Sequence, residues 1–424
     1  MNAQIASTRT GSGQPVAGRE RIEDIDVIRG FALFGVLMMN LAFSLRVHHA
    51  APWENHPPWL PDHIVLRAES VLLANKAMTL FSTLFGVGLA IFLERASASR
   101  GDSAAWRLLV RRLLALLAFG VAHAILIWNG DILVPYAVTG LLALPLMRCR
   151  TSVLAALIGL GYVLPPLVLL WPPAGDFWNA ADPVPFSETM RIYTGPSYLR
   201  IVQLRAHEMV WSWTHHYTVY LPRCLGNMLI GVLLWRSGIF RADLSERMRR
   251  MLRWVATGGI AIGAGYALYR VILFDVFHAP TPTRGTPLRL FLQVVTVMPF
   301  ALGYGAILLL LLRGRFRPWL LHLAPLGRMA FTNYLTESIF FTAVFYGYGL
   351  NLLGKVGYAA AALMGIIFFA AQGILSAIWL RHFRFGPFEW AWRTMTYGAW
   401  QPFRKRPSDG MNFSPVAVKF RDPS

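Results

Sequence analysis

The sequence predicts an all-α fold, a polytopic integral membrane helical bundle with about ten transmembrane helices. Of its 424 residues, 55% are hydrophobic and only 14% are charged, which is too little charge to cover a soluble domain of this length. The apolar residues also stand in long blocks, and a spanning helix needs about 20 of them. Arginines are concentrated between alternate blocks. We therefore expect the chain to cross a membrane repeatedly.

Ten such blocks follow one another, and each is expected to form one spanning helix. They run over Val27–Val47, Val71–Leu93, Leu108–Trp128, Ile132–Met147, Val153–Trp171, Tyr217–Trp235, Trp254–Val276, Leu290–Leu312, Leu326–Leu350 and Ala359–Leu380. They belong to one transmembrane domain over residues 21–400. Residues 172–216 form its long extracytoplasmic insert, and the second half of this insert is expected to be an amphipathic surface helix. Residues 1–20 and 401–424 are expected to be disordered cytoplasmic tails.

The positive charge of the chain sets its orientation. The formal net charge is +19. Most arginines fall in the connections that share one side of the membrane, and basic loops stay in the cytoplasm, so both termini are expected there. Because these residues lie between apolar blocks, their expected partners are the anionic lipids of the bilayer and not a nucleic acid. A homo-oligomer is left open.

The first group of polar residues opens the first block. Asp26, Arg29 and Gly30 form an Asp-x-x-Arg-Gly motif, and Asn40 lies about three turns deeper. Polar groups in hydrocarbon are costly, so each is a functional candidate. Asp26 and Arg29 are interpreted either as a pair that holds a charged cytoplasmic ligand or as an anchor that reaches lipid phosphates. Asn40 is expected to bond to a neighbouring helix.

The second group surrounds the turn between the third and fourth blocks. His123 lies near the end of one block, Asn129-Gly130 is a turn signal, and Asp131 begins the next helix, where the helix dipole favours a carboxylate. So short a turn between antiparallel helices brings His123 and Asp131 near each other. They are interpreted as a general base and the carboxylate that fixes its tautomer. The structural alternative is a helix cap and a separate helix–helix hydrogen bond.

The third group lies in the ninth block and contains Arg328, Asn333 and Glu337. Asn333 and Glu337 are four residues apart, so they share one helix face. Glu337 is expected near mid-membrane, where an isolated ionised carboxylate is too costly, so it must be protonated, paired or facing water. The structural alternative is a set of polar contacts between helices. No metal site is expected, because neither the two cysteines nor the histidines at 48, 49, 56 and 63 have ligand spacing.

Several motifs together resemble the YeiB-like family of bacterial inner-membrane proteins. They are Asp26-x-x-Arg29-Gly30 with Asn40, Leu84-Phe85-Gly86-x-Gly88, His123 with Gly130-Asp131-Ile132-Leu133 and Tyr136, Met228-x-x-Gly231, Gly327-Arg328-Met329-Ala330 with Thr332-Asn333-Tyr334, and Gly386-Pro387-x-Glu389-Trp390-x-Trp392-Arg393. They occur in order along nearly the whole chain. The resemblance implies a multi-pass protein of the bacterial inner membrane. The family usually has Gln in place of Glu337.

The Asp26-x-x-Arg29-Gly30 opening is also similar to the first helix of membrane acyltransferases. These enzymes pass an acyl group from cytoplasmic coenzyme A to an extracytoplasmic sugar. The lysosomal heparan-glucosaminide acetyltransferase group has Asn at the place of Asn40 and a functional His soon after, which His49 matches here. This resemblance implies acyl-coenzyme A as the donor cofactor. Arg29 and Arg328 would hold its phosphates, and His123 or His49 would act on the acceptor.

Three functions remain open from the sequence. The first is this acyltransferase, with Asn40, Asn333 and Glu337 forming a polar path between donor and acceptor sides. The second is a transporter or permease, because buried ionisable residues often mark ion and substrate pathways. The third is a non-catalytic membrane protein in which the polar residues only hold helices together.

Overall fold

The computed structural model describes residues 23–44, 60–178, 184–215, 217–241, 244–270 and 287–405. In these ranges the chain is helical, and only an isolated antiparallel bridge joins Phe383 to Arg404. The α-helices are α1 (Glu23–Met39), α2 (Leu60–Leu72), α3 (Lys76–Arg100), α4 (Asp102–Ala122), α5 (Leu133–Leu146), α6 (Thr151–Val168), α7 (Pro172–Trp178), α8 (Phe186–Tyr193), α9 (Tyr198–His215), α10 (Tyr217–Arg236), α11 (Glu246–Arg270), α12 (Pro287–Leu312), α13 (Arg317–Leu320), α14 (Ala324–Arg328), α15 (Ala330–Phe345), α16 (Tyr358–His382) and α17 (Pro387–Tyr397).

The all-helical class is confirmed, and the membrane character is supported by five helical segments long and apolar enough to cross a bilayer. They are Glu23–Ala42, Leu60–Arg100, Asp102–Ile127, Thr151–Val168 and Tyr358–His382. A sixth would be the pair α9 and α10, which is bent by 76°. Each of the ten predicted blocks overlaps a helix, but α5 has only 14 residues and α15 only 16. The count of ten spans is therefore not confirmed.

The core of the described bundle forms around α3, which contacts α1, α4, α10 and α12. Its closest approach is to α10. A Cβ on Gly86 would lie 2.1 Å from the carbonyl oxygen of Met228, so only glycine allows the two backbones to come this near. A Cβ on Gly88, by contrast, would have no neighbour within 4 Å. The Gly-x-Gly motif thus contributes one residue to this crossing.

Helix α9 of the insert lies against the turn that joins α4 to α5, and α8 packs on α9. The α-helix of α4 ends at Ala122, and the chain continues as a π-helical turn, His123–Ile127. Helix α9 packs on this turn and buries Ile201, Leu204 and Arg205 there. The insert therefore covers the end of the bundle that carries His123.

Candidate functional site

His123 and Asp131 form a buried pair at the α4–α5 turn. The imidazole Nδ1 lies 2.8 Å from Asp131 Oδ1, and both side chains are at most 3% exposed. The other carboxylate oxygen, Oδ2, accepts the backbone N–H of Val134 at 2.6 Å, in the first turn of α5. Because a carboxylate only accepts, the proton of this pair belongs on Nδ1. The Asp131 carboxylate thus contacts both His123 and the first turn of α5.

The second nitrogen of the imidazole, Nε2, is the candidate proton acceptor. His123 Nε2 is buried and has no hydrogen-bond partner among the described residues. The ring of Tyr334 packs against the imidazole at 5.1 Å, and its hydroxyl accepts the N–H of Ile132 at 3.3 Å. With Nδ1 protonated, Nε2 carries the lone pair, and the tyrosine limits rotation of the ring. This arrangement suits a general base whose substrate proton comes to Nε2.

A second site lies where α1 meets α14. Arg29 Nη1 donates to Asp26 Oδ1 at 2.9 Å and reaches the carbonyl of Gly327 at 3.4 Å. A Cβ on Gly327 would lie 1.8 Å from the carbonyl oxygen of Asp26, so the contact depends on glycine. Arg328 is the last residue of α14 and therefore belongs to the same region. The structure thus places Asp26 and Arg29 of α1 next to the segment that ends at Arg328.

Two further arginines belong to this region. Arg112 of α4 interacts electrostatically with both Arg29 and Arg393. Its guanidinium stacks on the indole of Trp392 at 3.6 Å, and Trp392 Nε1 donates to the carbonyl of Arg112 at 2.7 Å. Converging arginines recognise phosphate groups, and an aromatic face holds a guanidinium in place. We call Arg29, Arg112 and Arg393 the arginine cluster.

Glu389 fixes α17 to the beginning of α15. Its Oε1 accepts the N–H groups of Phe331 at 2.8 Å and Thr332 at 3.0 Å, and its Oε2 accepts the Thr332 hydroxyl at 2.5 Å. The carboxylate therefore caps α15 from a separate helix. Burial raises the pKa of Glu389, and these hydrogen bonds oppose the shift. This contact explains why the Gly386-Pro387-x-Glu389 and Thr332-Asn333 motifs occur together.

The two polar residues of α15 have separate surroundings. Asn333 Nδ2 donates to the carbonyl of Leu326 at 3.2 Å and to Ser376 Oγ at 3.1 Å, so it ties α15 to α14 and α16. Both oxygens of Glu337 are buried without a hydrogen-bond partner in the described chain. Glu337 thus makes no hydrogen bond to His123.

The remaining predicted residues are Asn40 and His49. Asn40 is buried at the start of a second π-helical turn, Asn40–Ser44. Its side chain makes no hydrogen bond within the described residues, so the expected bond to another helix is not observed. His49 lies outside the described residues, and its role stays a prediction.

Sequence reasoning missed three residues that the structure places at these sites. In the sequence, Arg112 is one of many basic residues, and Glu389 and Arg393 belong to a family motif after the last block that could also serve as a simple membrane anchor. The available signal was composition, because a run of Trp, Glu and Arg after the last block is unusual for a simple anchor. Their partners on α1, α4 and α15 are distant in sequence and could not be identified from it.

Comparisons with known proteins agree with the motifs. Residues 234–399 match the family described as "Protein of unknown function (DUF418)". The chain is 34% identical over 413 residues to the uncharacterized protein YxaH of Bacillus subtilis (strain 168). The aligned region covers 93% of this chain and 98% of that protein. The chain is 30% identical over 407 residues to the uncharacterized protein YeiB of Escherichia coli (strain K12), covering 90% and 98%. The chain therefore belongs to the YeiB-like family, as the order of its motifs indicates.

Proposed function

We propose that this protein is a transmembrane acyltransferase of the bacterial inner membrane. It would move an acyl group from cytoplasmic acyl-coenzyme A to an acceptor on the extracytoplasmic side, with ten spans and both termini in the cytoplasm. The observation that carries the proposal is the buried His123–Asp131 pair, whose Nε2 has no hydrogen-bond partner among the described residues. A structural histidine in an apolar interior would be expected to bond through both nitrogens.

The proposed reaction uses His123 as general base. Nε2 removes the proton of an acceptor hydroxyl or amine, and the acceptor atom attacks the thioester carbonyl. A C–O or C–N bond forms, the C–S bond breaks, and the coenzyme A thiolate leaves. Asp131 stabilises the imidazolium through Nδ1 at 2.8 Å, and the imidazolium then returns its proton to the thiolate.

The arginine cluster is the proposed donor site. Three guanidinium groups in one region suit the several phosphates of coenzyme A, because each phosphate takes two parallel N–H bonds from an arginine. Arg112 and His123 lie on the same helical segment and are eleven residues apart, which is about 16 Å at 1.5 Å per residue. The extended arm of the donor would have to cover that distance along α4.

Donor binding is tested by calorimetry with acetyl-coenzyme A and the full-length protein in nanodiscs. We expect Arg112→Met to weaken binding by roughly tenfold or more, the loss of one charge-assisted contact. Arg249→Met is the matched control, because Arg249 is half exposed on α11 and forms its ion pair with nearby Glu246. Absence of binding by the unmodified protein, or equal binding by all variants, would contradict the proposed donor site.

The catalytic role is tested with His123→Asn. If His123 is the base, this variant should bind acetyl-coenzyme A as the unmodified protein does and fail to release free thiol in the presence of membrane glycan acceptors. Thiol release that continues at the same rate would contradict the role of His123.

A transporter is the second candidate, and Glu337 is the observation that favours it. Its buried carboxyl has no hydrogen-bond partner in the described chain, and such groups inside membranes often carry protons. Proton-driven uptake into proteoliposomes that is lost in Glu337→Gln would support this function over acyl transfer.

A further inference from the structure

Arg205 of α9 is a buried arginine with an incomplete set of partners. Its relative exposure is 0%, although it lies on a helix that the sequence predicts to be an amphipathic surface helix. Nη1 donates to the carbonyl of Leu126 at 2.9 Å, and the guanidinium also interacts with the hydroxyl of Tyr348. Nε and Nη2 are buried without a hydrogen-bond partner, and no carboxylate of the described chain lies within 4 Å of the guanidinium. A buried charge in this state is costly unless something else neutralises it.

The unbonded atoms form the part of an arginine that recognises oxyanions. Nε and Nη2 point from the same edge of the planar guanidinium, and this edge makes two parallel bonds to one carboxylate or phosphate. The ring of Tyr346 lies 5.2 Å from the guanidinium, and its buried hydroxyl, which interacts with Arg205, makes no hydrogen bond of ordinary geometry in the described part of the chain. Three donors, two on Arg205 and one on Tyr346, are thus left beside each other.

The acidic residue nearest in sequence is already engaged elsewhere. Glu208, one turn further along α9, accepts hydrogen bonds from Tyr193 and from Asn129 Nδ2, both at 2.6 Å. These bonds attach α9 to the residue next to the Gly130-Asp131 motif. The Nε–Nη2 edge of Arg205 is therefore not paired with this carboxylate.

We propose that Arg205 and Tyr346 bind a carboxylate of the acceptor molecule. Identifying the ligand as the acceptor rests on the proposed acyl transfer, whereas the carboxylate site itself does not. The guanidinium is bonded to Leu126, which lies in the same π-helical turn as His123, so a molecule held by its carboxylate lies next to the proposed base. A monocarboxylate brings one negative charge to one positive charge, whereas a phosphate dianion would leave an excess charge buried.

Removing Arg205 should not by itself damage the turn. The carbonyl of Leu126 also accepts the hydroxyl of Tyr198 at 2.5 Å, so it stays bonded in Arg205→Met. Since that change also removes a buried charge, the ligand-free variant should melt at the same temperature as the unmodified protein or higher. An arginine with a purely structural role would give the opposite result.

Ligand binding is measured with the full-length protein in nanodiscs by calorimetry and thermal unfolding. The probes are acetate, lactate, gluconate and glucuronate, with glucose and inorganic phosphate for comparison. We expect saturable binding of at least one carboxylate and none of glucose. Arg205→Lys keeps the charge but loses the fork, and it should weaken that binding by roughly tenfold or more. Arg200→Met, an exposed arginine on the same helix, is the matched control and should bind as before.

The outcomes separate this site from the proposed enzyme. Failure of all four carboxylates to bind, binding unchanged in Arg205→Lys, or a preference for phosphate would each overturn the carboxylate site. A lower melting temperature of ligand-free Arg205→Met would count against it as well. If a carboxylate binds through Arg205 but acetyl-coenzyme A does not bind at all, the site stands and the acyltransferase falls. If only acetyl-coenzyme A binds, the reverse holds.

Discussion

The His123–Asp131 pair gives the sharpest test of the candidate site. Asp131→Ala removes the acceptor of two buried donors, the imidazole Nδ1–H and the backbone N–H of Val134. Each stranded donor costs about 1–3 kcal/mol, so the variant should lose about 2–6 kcal/mol of unfolding free energy. His123→Ala should also destabilise the protein, because it removes a ring that packs on Tyr334. If the pair is formed, the double variant should be less destabilised than the sum of the two.

The coupling energy between the two positions measures the pair itself. A hydrogen bond to a charged group contributes about 1.5–3 kcal/mol, and this is the expected coupling. Unfolding free energies of the four proteins are measured by steric trapping in bilayers. The exposed pair Glu188–Arg191 on α8 is the control, and it should show no measurable coupling. A coupling below about 0.5 kcal/mol between His123 and Asp131 would refute the proposed pair.

Three further predictions concern the fold around the site. Gly86→Ala places a Cβ 2.1 Å from the carbonyl oxygen of Met228 and should lower the unfolding free energy by about 1–3 kcal/mol. Gly88→Ala should leave stability unchanged, and equal melting temperatures of the two variants would contradict the close crossing of α3 and α10. The pKa of Glu389 is raised by burial, so the folded state holds its proton more tightly than the unfolded state. The unfolding free energy of the unmodified protein should then fall, relative to that of Glu389→Gln, as pH rises from about 4.5 through the raised pKa. A difference between the two proteins that does not change with pH would contradict the raised pKa. Glu337→Gln should leave the melting temperature unchanged because neither carboxyl oxygen is bonded, and a marked fall would reveal a partner.

Features that depend on neighbouring residues could be predicted from the sequence. The apolar blocks coincide with helices because a run of apolar residues fixes a buried helix locally. The His123–Asp131 pair was also predictable, since its members are eight residues apart and a short turn leaves few arrangements for them. The same holds for Asp26 and Arg29, which are three apart on one helix.

Features that depend on distant residues could not be predicted. Glu389 caps α15 from 57 residues away, and Arg205 bonds to a carbonyl 79 residues earlier in the chain. In the sequence, Arg205 looks like one of the cations on the polar face of a surface helix. Its burial is decided by where α9 docks, and no periodicity in α9 contains that information. The polar path through Asn333 and Glu337 was inferred from helix spacing alone, and neither residue forms a hydrogen bond with His123.

The contacts of α4 indicate the depth of the His123–Asp131 pair. Helix α5 has 14 residues and is about 21 Å long, which is less than the ~30 Å of a bilayer core. Phe119, one turn before His123, contacts Phe388 of α17, a helix that begins after the last span. Helix α5 is therefore too short to cross the bilayer core, whereas Asp102–Ile127 is long enough, so it is the contact with α17 that keeps His123 away from the far surface. In the proposed orientation the base lies within the membrane, nearer to the arginine cluster than the apolar blocks suggest, and α9 covers it from outside. A base at that depth shortens the path of a cytoplasmic acyl group, and it requires the acceptor to enter beneath α9, where Arg205 is buried.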